Sequence, residues 1–327
     1  MPWYVACASS ELKDAPLART ISDTPIVLFR GPKAAALLDR CAHRNIPLSE
    51  GRCVDGRLEC RYHGWQYGET GRCLKIPGLP GEAEREARAV PRFAVEERDG
   101  FVWVWDRADV EPAGAPFALP PLEPGETEIR RTVEVEAPLL PALENALDVP
   151  HTAVLHRGLF RGAREPKRIK VKVARTPEGI QAEYVGEPRP SGWAAKILSP
   201  SGGEVVHFDR FIRPSIAQIE YRLGTEARFL VNSICSPVSE FRTRLYAVVR
   251  FRTRLPGWLV KLLLDPVATR IFEQDRSILK SQADALRRWK GEHYASTAID
   301  VLGLQIARLL KGADTGEDWS REIDMEV

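Results

Sequence analysis

The sequence lacks an excess of charge of either sign. Its 327 residues include 47 Lys and Arg against 45 Asp and Glu, which gives a formal net charge of +2 at pH 7. Such a balance argues against a polyanionic partner, so we expect no nucleic acid among its ligands. Hydrophobic residues make up 44% of the chain and charged residues 28%, which is typical of a globular protein long enough for two domains.

Long apolar runs are missing as well. No stretch approaches the ~18 consecutive apolar residues that a membrane-spanning helix needs. The first ten residues also show no basic segment ahead of an apolar core, so we expect a cytoplasmic protein. In that compartment the six cysteines should stay reduced, and cysteines in pairs would indicate a metal site.

Residues 1–112 are predicted to form an all-β domain, because short β-rich runs such as 24–29 and 100–105 alternate with Gly and Pro turns. The proline-rich stretch 109–126 suits an extended connection. Residues 113–327 form the second predicted domain, with an antiparallel sheet exposed on one face. Helices are predicted over 139–155, from Asp265 and Pro266 to about Trp289, and over 298–310. The fold class is therefore α+β.

Four of the six histidines fall into two tight groups, whereas His207 and His293 stand alone and are predicted to be structural or exposed. The first group is Cys41-x-His43 followed by Cys60-x2-His63. Two thiolates and two imidazoles could hold one Zn²⁺ or a [2Fe–2S] cluster. In zinc sites one loop usually supplies two cysteines in a Cys-x2-4-Cys motif. Here each loop supplies one cysteine and one histidine, which favours the cluster, because each loop can then give one ligand to each iron.

The second group is His151 and His156, which follow Asn145 and Asp148. Two histidines with one carboxylate make the triad of mononuclear Fe(II) sites that leave positions open for dioxygen. Five residues along a regular helix turn by about 500°, which would leave the two histidines roughly 140° apart. We therefore predict a kink or π-type bulge caused by Pro150. The alternative is an ordinary helix with two unrelated histidines.

These motifs resemble those of the Rieske non-haem iron oxygenases, and the resemblance covers essentially the whole chain. The Rieske motif is Cys41-Ala42-His43-Arg44 with 60–65, and Ala42 replaces a frequent proline that ligates nothing. The iron motif is Asn145-x2-Asp148-x2-His151-x4-His156. The resemblance implies an N-terminal Rieske [2Fe–2S] domain and a helix-grip, START-like catalytic domain around a hydrophobic cavity.

The resemblance also implies the remaining site residues. The third ligand of the mononuclear iron would be Asp275 on a late helix, with Glu273 and Asp284 as competitors and Asp265 as a helix cap. In the family, a ring of three subunits places the Rieske cluster of one beside the iron of the next. Asp148 would bridge the two sites across that interface, and Asn145 would support the iron ligands from behind.

The reaction implied is insertion of oxygen into a C–H bond by a member of the monooxygenase and demethylase branch. The apolar runs 257–264 and 301–304 are explained by core or trimer packing, or by an entrance for a large fused-ring substrate. A hydrophobic polycyclic substrate, with oxidative sterol demethylation as a leading case, is one expectation. The alternative is an O-demethylase or hydroxylase of a small aromatic compound.

Two rival classes need only part of these features. A Rieske electron carrier would need the first domain alone, and a zinc-stabilised binding module would hold no sulfide.

The chain also lacks a Gly-x-Gly-x-x-Gly motif after a strand and a second cysteine set. We therefore expect electrons from a separate NAD(P)H-dependent reductase, with or without a ferredoxin.

Overall fold

The structure is a computed structural model that describes residues 2–157, 167–188, 205–224, 227–253, 256–313 and 319–326. It divides the chain into two compact units. The first comprises Met1–Leu119 with Ser236–Glu240, and the second comprises Pro120–Cys235 with Phe241–Val327. Residues 109–126, which include the predicted connection, contain no helix or strand.

The first unit is built from two sheets. A six-stranded sheet has the order β1-β10-β9-β4-β3-β2, and a four-stranded sheet has the order β5-β6-β7-β8. The strands are β1 Trp3–Ala8, β2 Leu17–Ile21, β3 Thr24–Arg30, β4 Ala34–Leu38, β5 Arg52–Val54, β6 Arg57–Glu59, β7 Gln66–Tyr67, β8 Cys73–Lys75, β9 Arg92–Arg98 and β10 Phe101–Ala108. The all-β prediction for this part of the chain is confirmed, and its alternating side chains fill two apolar clusters.

The second unit has one eight-stranded sheet with the order β11-β17-β16-β15-β14-β13-β12-β18. Its strands are β11 Thr127–Val135, β12 Arg168–Arg175, β13 Gly179–Val185, β14 Val205–Ile212, β15 Ile216–Leu223, β16 Ala227–Ser239, β17 Arg242–Arg252 and β18 Ser320–Glu326. The helices are α1 Leu139–Leu147, α2 Val149–Val154, α3 Gly257–Trp289 and α4 Gly303–Leu310. One face of the sheet packs against α1 and α4, which confirms an α+β fold with a β-rich second domain.

The helix around Pro150 deforms as expected, but the form of the deformation differs from the prediction. Instead of a kink or π-type bulge, the helix breaks at Asp148, whose backbone is extended (φ −94°, ψ 105°). Pro150 cannot donate to the carbonyl of Ala146, so α1 cannot continue. It is tolerated in the first turn of α2, where no donor is needed.

The predicted start of the late helix at Asp265 is wrong. Helix α3 begins at Gly257 and runs through Pro266, because the apolar run 257–264 is itself helical. Asp265 is therefore inside the helix, where it forms an ion pair with Arg131 instead of a cap. The following helix, α4, begins at Gly303 rather than near residue 298.

In the part of the chain that the structure describes, each helix is too short or too polar to cross a bilayer.

Candidate active site

The first group of site residues lies on two loops with the same backbone pattern. In each loop the cysteine N–H donates to a carbonyl five residues on, Cys41 to Ile46 and Cys60 to Trp65, both at 2.9 Å. The cysteine carbonyl then accepts the N–H four residues on, from Asn45 or Gly64, at 3.0 Å. These two residues have left-handed φ angles of 61° and 69°, which Asn and Gly tolerate best.

These loops bring the four predicted Rieske residues together. The Cys41 and Cys60 thiols are buried, and the His43 and His63 ring centroids are 4.4 Å apart. His43 Nδ1 is buried and has no hydrogen-bond partner among the described residues. Because a buried, unpaired imidazole nitrogen beside thiols is a ready metal ligand, the donor set fits a Rieske cluster.

Neighbouring aromatic side chains hold this site from two sides. Trp65 stacks on His43 with ring centroids 4.7 Å apart and an interplanar angle of 3°. The Tyr67 hydroxyl lies 3.2 Å from Cys41 Sγ, within reach of a hydrogen bond to the sulfur. Hydrogen bonds to ligand sulfurs tune the reduction potential of such clusters, so the Tyr67 hydroxyl is placed to affect the potential of a cluster held here. Sequence reasoning missed this residue.

The second group also comes together. Metal-ligating atoms of His151, His156 and Asp275 all lie within 4.8 Å of one another. Asp275 Oδ1 is 3.6 Å from His151 Nε2 and 3.1 Å from His156 Nε2, and the two Nε2 atoms are 3.2 Å apart. A single ion can therefore be reached by all three side chains, and the set matches the two-histidine, one-carboxylate triad.

The competing carboxylates do not reach these histidines. Glu273 is exposed and lies 3.9 Å from Arg276, and Asp284 pairs with Arg287 at 2.8 Å. Asp275 is on the side of α3 that faces α1, where Asn145 Nδ2 donates to its Oδ1 at 3.3 Å. The structure thus places Asn145 beside Asp275, and its support of the iron ligands stays a prediction.

Hydrogen bonds orient both histidines toward the shared centre. His156 Nδ1–H donates to Gln274 Oε1 at 2.9 Å, which leaves the Nε2 lone pair for a metal. His151 Nδ1–H donates to the backbone carbonyl of Asp148, while the Asp148 carboxylate is 3.7 Å away. Gln274 was not singled out from the sequence, because only the relative placement of α2 and α3 reveals the contact.

Burial and neighbouring charges shift the pKa values of three residues on or near α1. Burial lowers the pKa of His151, but Asp275 and then Asp148 outweigh burial, so its pKa lies above the ordinary value. Burial raises the pKa of Asp148 despite the opposing effect of His151. Burial, followed by the charges of neighbouring carboxylates, also raises the pKa of Glu144 to about 7.

The two isolated histidines differ from each other. His293 is exposed and its Nε2 contacts the carbonyl of Trp289 at 3.1 Å. His207 is 1% exposed and lies between Glu187 and Asp209. Its buried, doubly paired state could have been suspected from the alternation of His207 and Asp209 on one strand face.

Comparison with known proteins finds a family model over each of the two parts of the chain that contain these groups. A Rieske [2Fe-2S] domain model matches residues 2–93, and a vanillate O-demethylase oxygenase C-terminal domain model matches residues 135–314. Protein TIC 55 of Arabidopsis thaliana is 32% identical over 302 residues, covering 88% of this chain and 54% of TIC 55. The chain thus spans about half the length of that relative.

Two further relatives match more of their own length. Aminopyrrolnitrin oxygenase PrnD of Pseudomonas fluorescens is 36% identical over 279 residues, covering 76% of this chain and 74% of that protein. The crystal structure of dicamba monooxygenase bound to dicamba superposes with a TM-score of 0.80 at 25% identity, covering 95% of this chain and 96% of the other.

Fold and sites together define a protein of two iron centres, a Rieske cluster and a mononuclear non-haem iron. The chain belongs to the family of Rieske non-haem iron oxygenases.

Proposed function

We propose that the protein is the oxygenase component of a monooxygenase system that oxidises a methyl ether or a C–H bond of an aromatic compound. The observation that supports it most is the triad of His151, His156 and Asp275, whose ligating atoms lie within 4.8 Å of one another. A Rieske electron carrier has no need of this triad. The two family models, which cover both halves of the chain, support the same proposal.

In this proposal Cys41, His43, Cys60 and His63 hold the cluster, and the triad holds the mononuclear iron. When bound, the cluster supplies single electrons and the iron supplies open positions for dioxygen. The protein's part is to fix the ligands. Gln274 sets the tautomer of His156, and the Asp148 carbonyl sets that of His151.

The net reaction is R–H plus O₂, two electrons and two protons, giving R–OH and water. At an O-methyl carbon the product is a hemiacetal that loses formaldehyde. The electrons come from NAD(P)H through a separate reductase, with or without a ferredoxin.

A homotrimer with Asp148 as the bridge between subunits also belongs to this proposal. The Asp148 side chain is 42% exposed, which supports this role because a partner subunit could reach the carboxylate. A cytoplasmic location stays a prediction.

For the substrate we propose the aromatic alternative in place of the sterol expectation. Relatives of this chain include a dicamba O-demethylase of Stenotrophomonas maltophilia and a vanillate O-demethylase subunit of a Pseudomonas strain. None of the relatives named here is a sterol enzyme. Their names support demethylation of an aromatic ether as the reaction class.

The test is turnover with a surrogate reductase. Iron-loaded protein, reductase, NADH and dioxygen are mixed with para-methoxybenzyl alcohol, and formaldehyde is measured against NADH consumed. We expect formaldehyde from the wild type and none from the His151→Ala variant. The control is His293→Ala, because that histidine is exposed and outside both sites.

Two outcomes would contradict the proposal. Equal turnover by the His151→Ala variant would show that the triad is not the catalytic metal site. A protein whose cluster passes electrons to an added acceptor, but which oxidises no methyl ether or sterol methyl group from a broad set, would be an electron carrier.

A further inference from the structure

Ala42 stands between the ligands Cys41 and His43, at a position where the Rieske motif frequently has proline. Proline has no backbone N–H, so the alanine gives this chain a hydrogen-bond donor inside the first ligand loop. In the structure this N–H donates to the hydroxyl oxygen of Tyr67 at 3.3 Å. The residue that departs from the frequent pattern therefore has a polar partner next to the cluster site.

The Ala42 N–H does not take part in closing the loop itself. The loop is closed by two other backbone hydrogen bonds, from the Cys41 N–H to the Ile46 carbonyl at 2.9 Å and from the Asn45 N–H to the Cys41 carbonyl at 3.0 Å. Removing the Ala42 N–H therefore leaves both of these hydrogen bonds in place.

Tyr67 presents its hydroxyl from a fixed position. Its backbone pairs with Leu58 of β6 and with Cys73 of β8. The side chain is 0% exposed and packs in the apolar cluster that also contains Cys41 and Cys60. Because the ring is held by this packing, rotation of the O–H bond is the freedom that remains to the side chain.

The same hydroxyl lies 3.2 Å from Cys41 Sγ. A tyrosine hydroxyl has one hydrogen to donate, and its oxygen can also accept. Because the oxygen accepts the Ala42 N–H, the hydroxyl hydrogen is directed away from Ala42 and is free to point at the sulfur. A thiolate that ligates iron has no hydrogen of its own, so Tyr67 is the donor in this contact when the cluster is bound.

A hydrogen bond to a ligand sulfur favours the reduced form of an iron–sulfur cluster. Reduction adds one electron, which the separate reductase supplies, and a donor at the sulfur stabilises the added negative charge. Cys41 is 2% exposed, so water competes little and the low dielectric of the interior strengthens the interaction. The Tyr67 hydroxyl should therefore raise the reduction potential.

We propose that Ala42 is a positioning residue: its N–H orients the Tyr67 hydroxyl toward Cys41 Sγ, and the two residues together raise the reduction potential of the Rieske cluster. A proline at position 42 would leave the hydroxyl without this orienting partner. The inference rests on the cluster of the proposed function, but it does not depend on the reaction with dioxygen. A higher potential makes the cluster easier for its electron donor to reduce.

The test is a redox titration of the cluster-loaded protein with dithionite and mediators, in which electron paramagnetic resonance measures the reduced cluster. In Tyr67→Phe the ratio of reduced to oxidised cluster at a fixed solution potential should fall by about tenfold, which is a potential lower by about 59 mV for one electron. Ala42→Pro should lower the same ratio by about threefold, because the hydroxyl stays but loses its orienting hydrogen bond.

Three further variants isolate the Ala42 N–H. Ala42→Gly keeps the N–H and should have the wild-type potential. The double variant Ala42→Pro/Tyr67→Phe should have the potential of Tyr67→Phe alone, because no hydroxyl is left to orient. Tyr62→Phe is the matched control, since it removes an exposed hydroxyl from the ring beside His63 and should leave the potential unchanged.

Iron and acid-labile sulfide are measured in each variant, so that potentials are compared at equal cluster content. Equal potentials in Ala42→Pro and Ala42→Gly would overturn the inference, as would an effect of Ala42→Pro that persists in full in the Tyr67→Phe background. An unchanged or higher potential in Tyr67→Phe would also overturn it. If that variant loses its cluster, the comparison of Ala42→Pro with Ala42→Gly decides alone.

The proposed function fails by different results. Absence of acid-labile sulfide from the wild type would contradict the cluster and the inference together. The expected potentials in a protein that releases no formaldehyde and oxidises no other probe would discard the oxygenase and retain the roles of Ala42 and Tyr67.

Discussion

Gln274 shows how one side chain can set the direction of a metal ligand. Its Oε1 accepts the Nδ1–H of His156 at 2.9 Å, which presents Nε2 to Asp275 and His151. We expect Gln274→Leu to weaken iron binding by about 10- to 100-fold, because the ring loses both its tautomer preference and its orientation.

Iron titration of the metal-free protein checks this expectation. Gln282→Leu is the matched control, since Gln282 is on the same helix but contacts the exposed Tyr294. The cluster spectrum should stay unchanged in both variants. Equal iron affinity in Gln274→Leu and the wild type would mean that the hydrogen bond does not orient the ligand.

Glu144 gives a pH dependence with a definite sign. Burial and neighbouring carboxylates raise its pKa to about 7, from an unfolded value near 4.5. The folded state therefore binds the Glu144 proton more tightly than the unfolded state does. The stabilisation of the fold by protonated Glu144 is fully present below pH ~4.5 and is lost as pH rises through about 7. Glu144→Gln should raise the free energy of unfolding above pH 7 by about 2 kcal/mol.

Urea unfolding of the wild type and Glu144→Gln at two pH values measures the difference. It should be largest near pH 8 and nearly absent near pH 4.5, where wild-type Glu144 is protonated. Glu136→Gln, which removes an exposed carboxylate on the same unit, is the control. A difference that grows toward low pH would contradict the assigned sign.

At the scale of elements, the break between α1 and α2 makes the iron site possible. Pro150 prevents the two helices from merging, because it has no backbone N–H to donate to the carbonyl of Ala146. A proline inside a helix costs about 3 kcal/mol, so Pro150→Ala removes a penalty of that size against one continuous helix. The merged helix would turn His151 away from His156, and we expect Pro150→Ala to retain less iron than the wild type.

Metal analysis of the purified variants checks this prediction, with Pro266→Ala as the control because α3 already continues through Pro266. The cluster iron should be retained in both variants. If Pro150→Ala keeps the wild-type content of mononuclear iron, the break does not depend on proline.

Elements whose pattern is local were predictable from the sequence. The predicted strand segment 24–29 lies within β3, and the segment 100–105 coincides with β10 from Phe101 onward. The two loops of the cluster were evident from the Cys-x-His spacing. The start of α3 was not predictable, because Asp265 and Pro266 have the sequence pattern of a helix start. The helix begins eight residues earlier, since the apolar run 257–264 is itself helical. The contact between Gln274 and His156 was also inaccessible, since it depends on packing between residues far apart in sequence.

At the scale of the whole molecule, the proposal requires electrons to cross from one subunit to the next through Asp148. Asp148→Asn removes the charge but keeps the backbone carbonyl that accepts the His151 hydrogen bond. We therefore expect normal iron content but oxidation of the reduced cluster that is slower by at least about tenfold.

Stopped-flow absorbance of the cluster, after mixing reduced protein with dioxygen and para-methoxybenzyl alcohol, measures this rate. The control is Asp300→Asn, which removes another carboxylate close enough to Asp148 to contribute to the raised pKa of Asp148. Light scattering of each variant reports whether the expected trimer is intact. Unchanged cluster oxidation in an intact Asp148→Asn assembly would remove Asp148 from the electron path.

A single-turnover experiment tests the proposed function most directly. Pre-reduced, iron-loaded protein is mixed with isotopically labelled dioxygen and para-methylbenzyl alcohol, without a reductase, and the products are analysed by mass spectrometry. Because both electrons are already stored in the assembly, we predict a diol that carries the label in its new hydroxyl group, and none from His151→Ala. Oxidation of the cluster with only peroxide or unlabelled product, for this probe and its methyl-ether counterpart, would contradict an oxygenase.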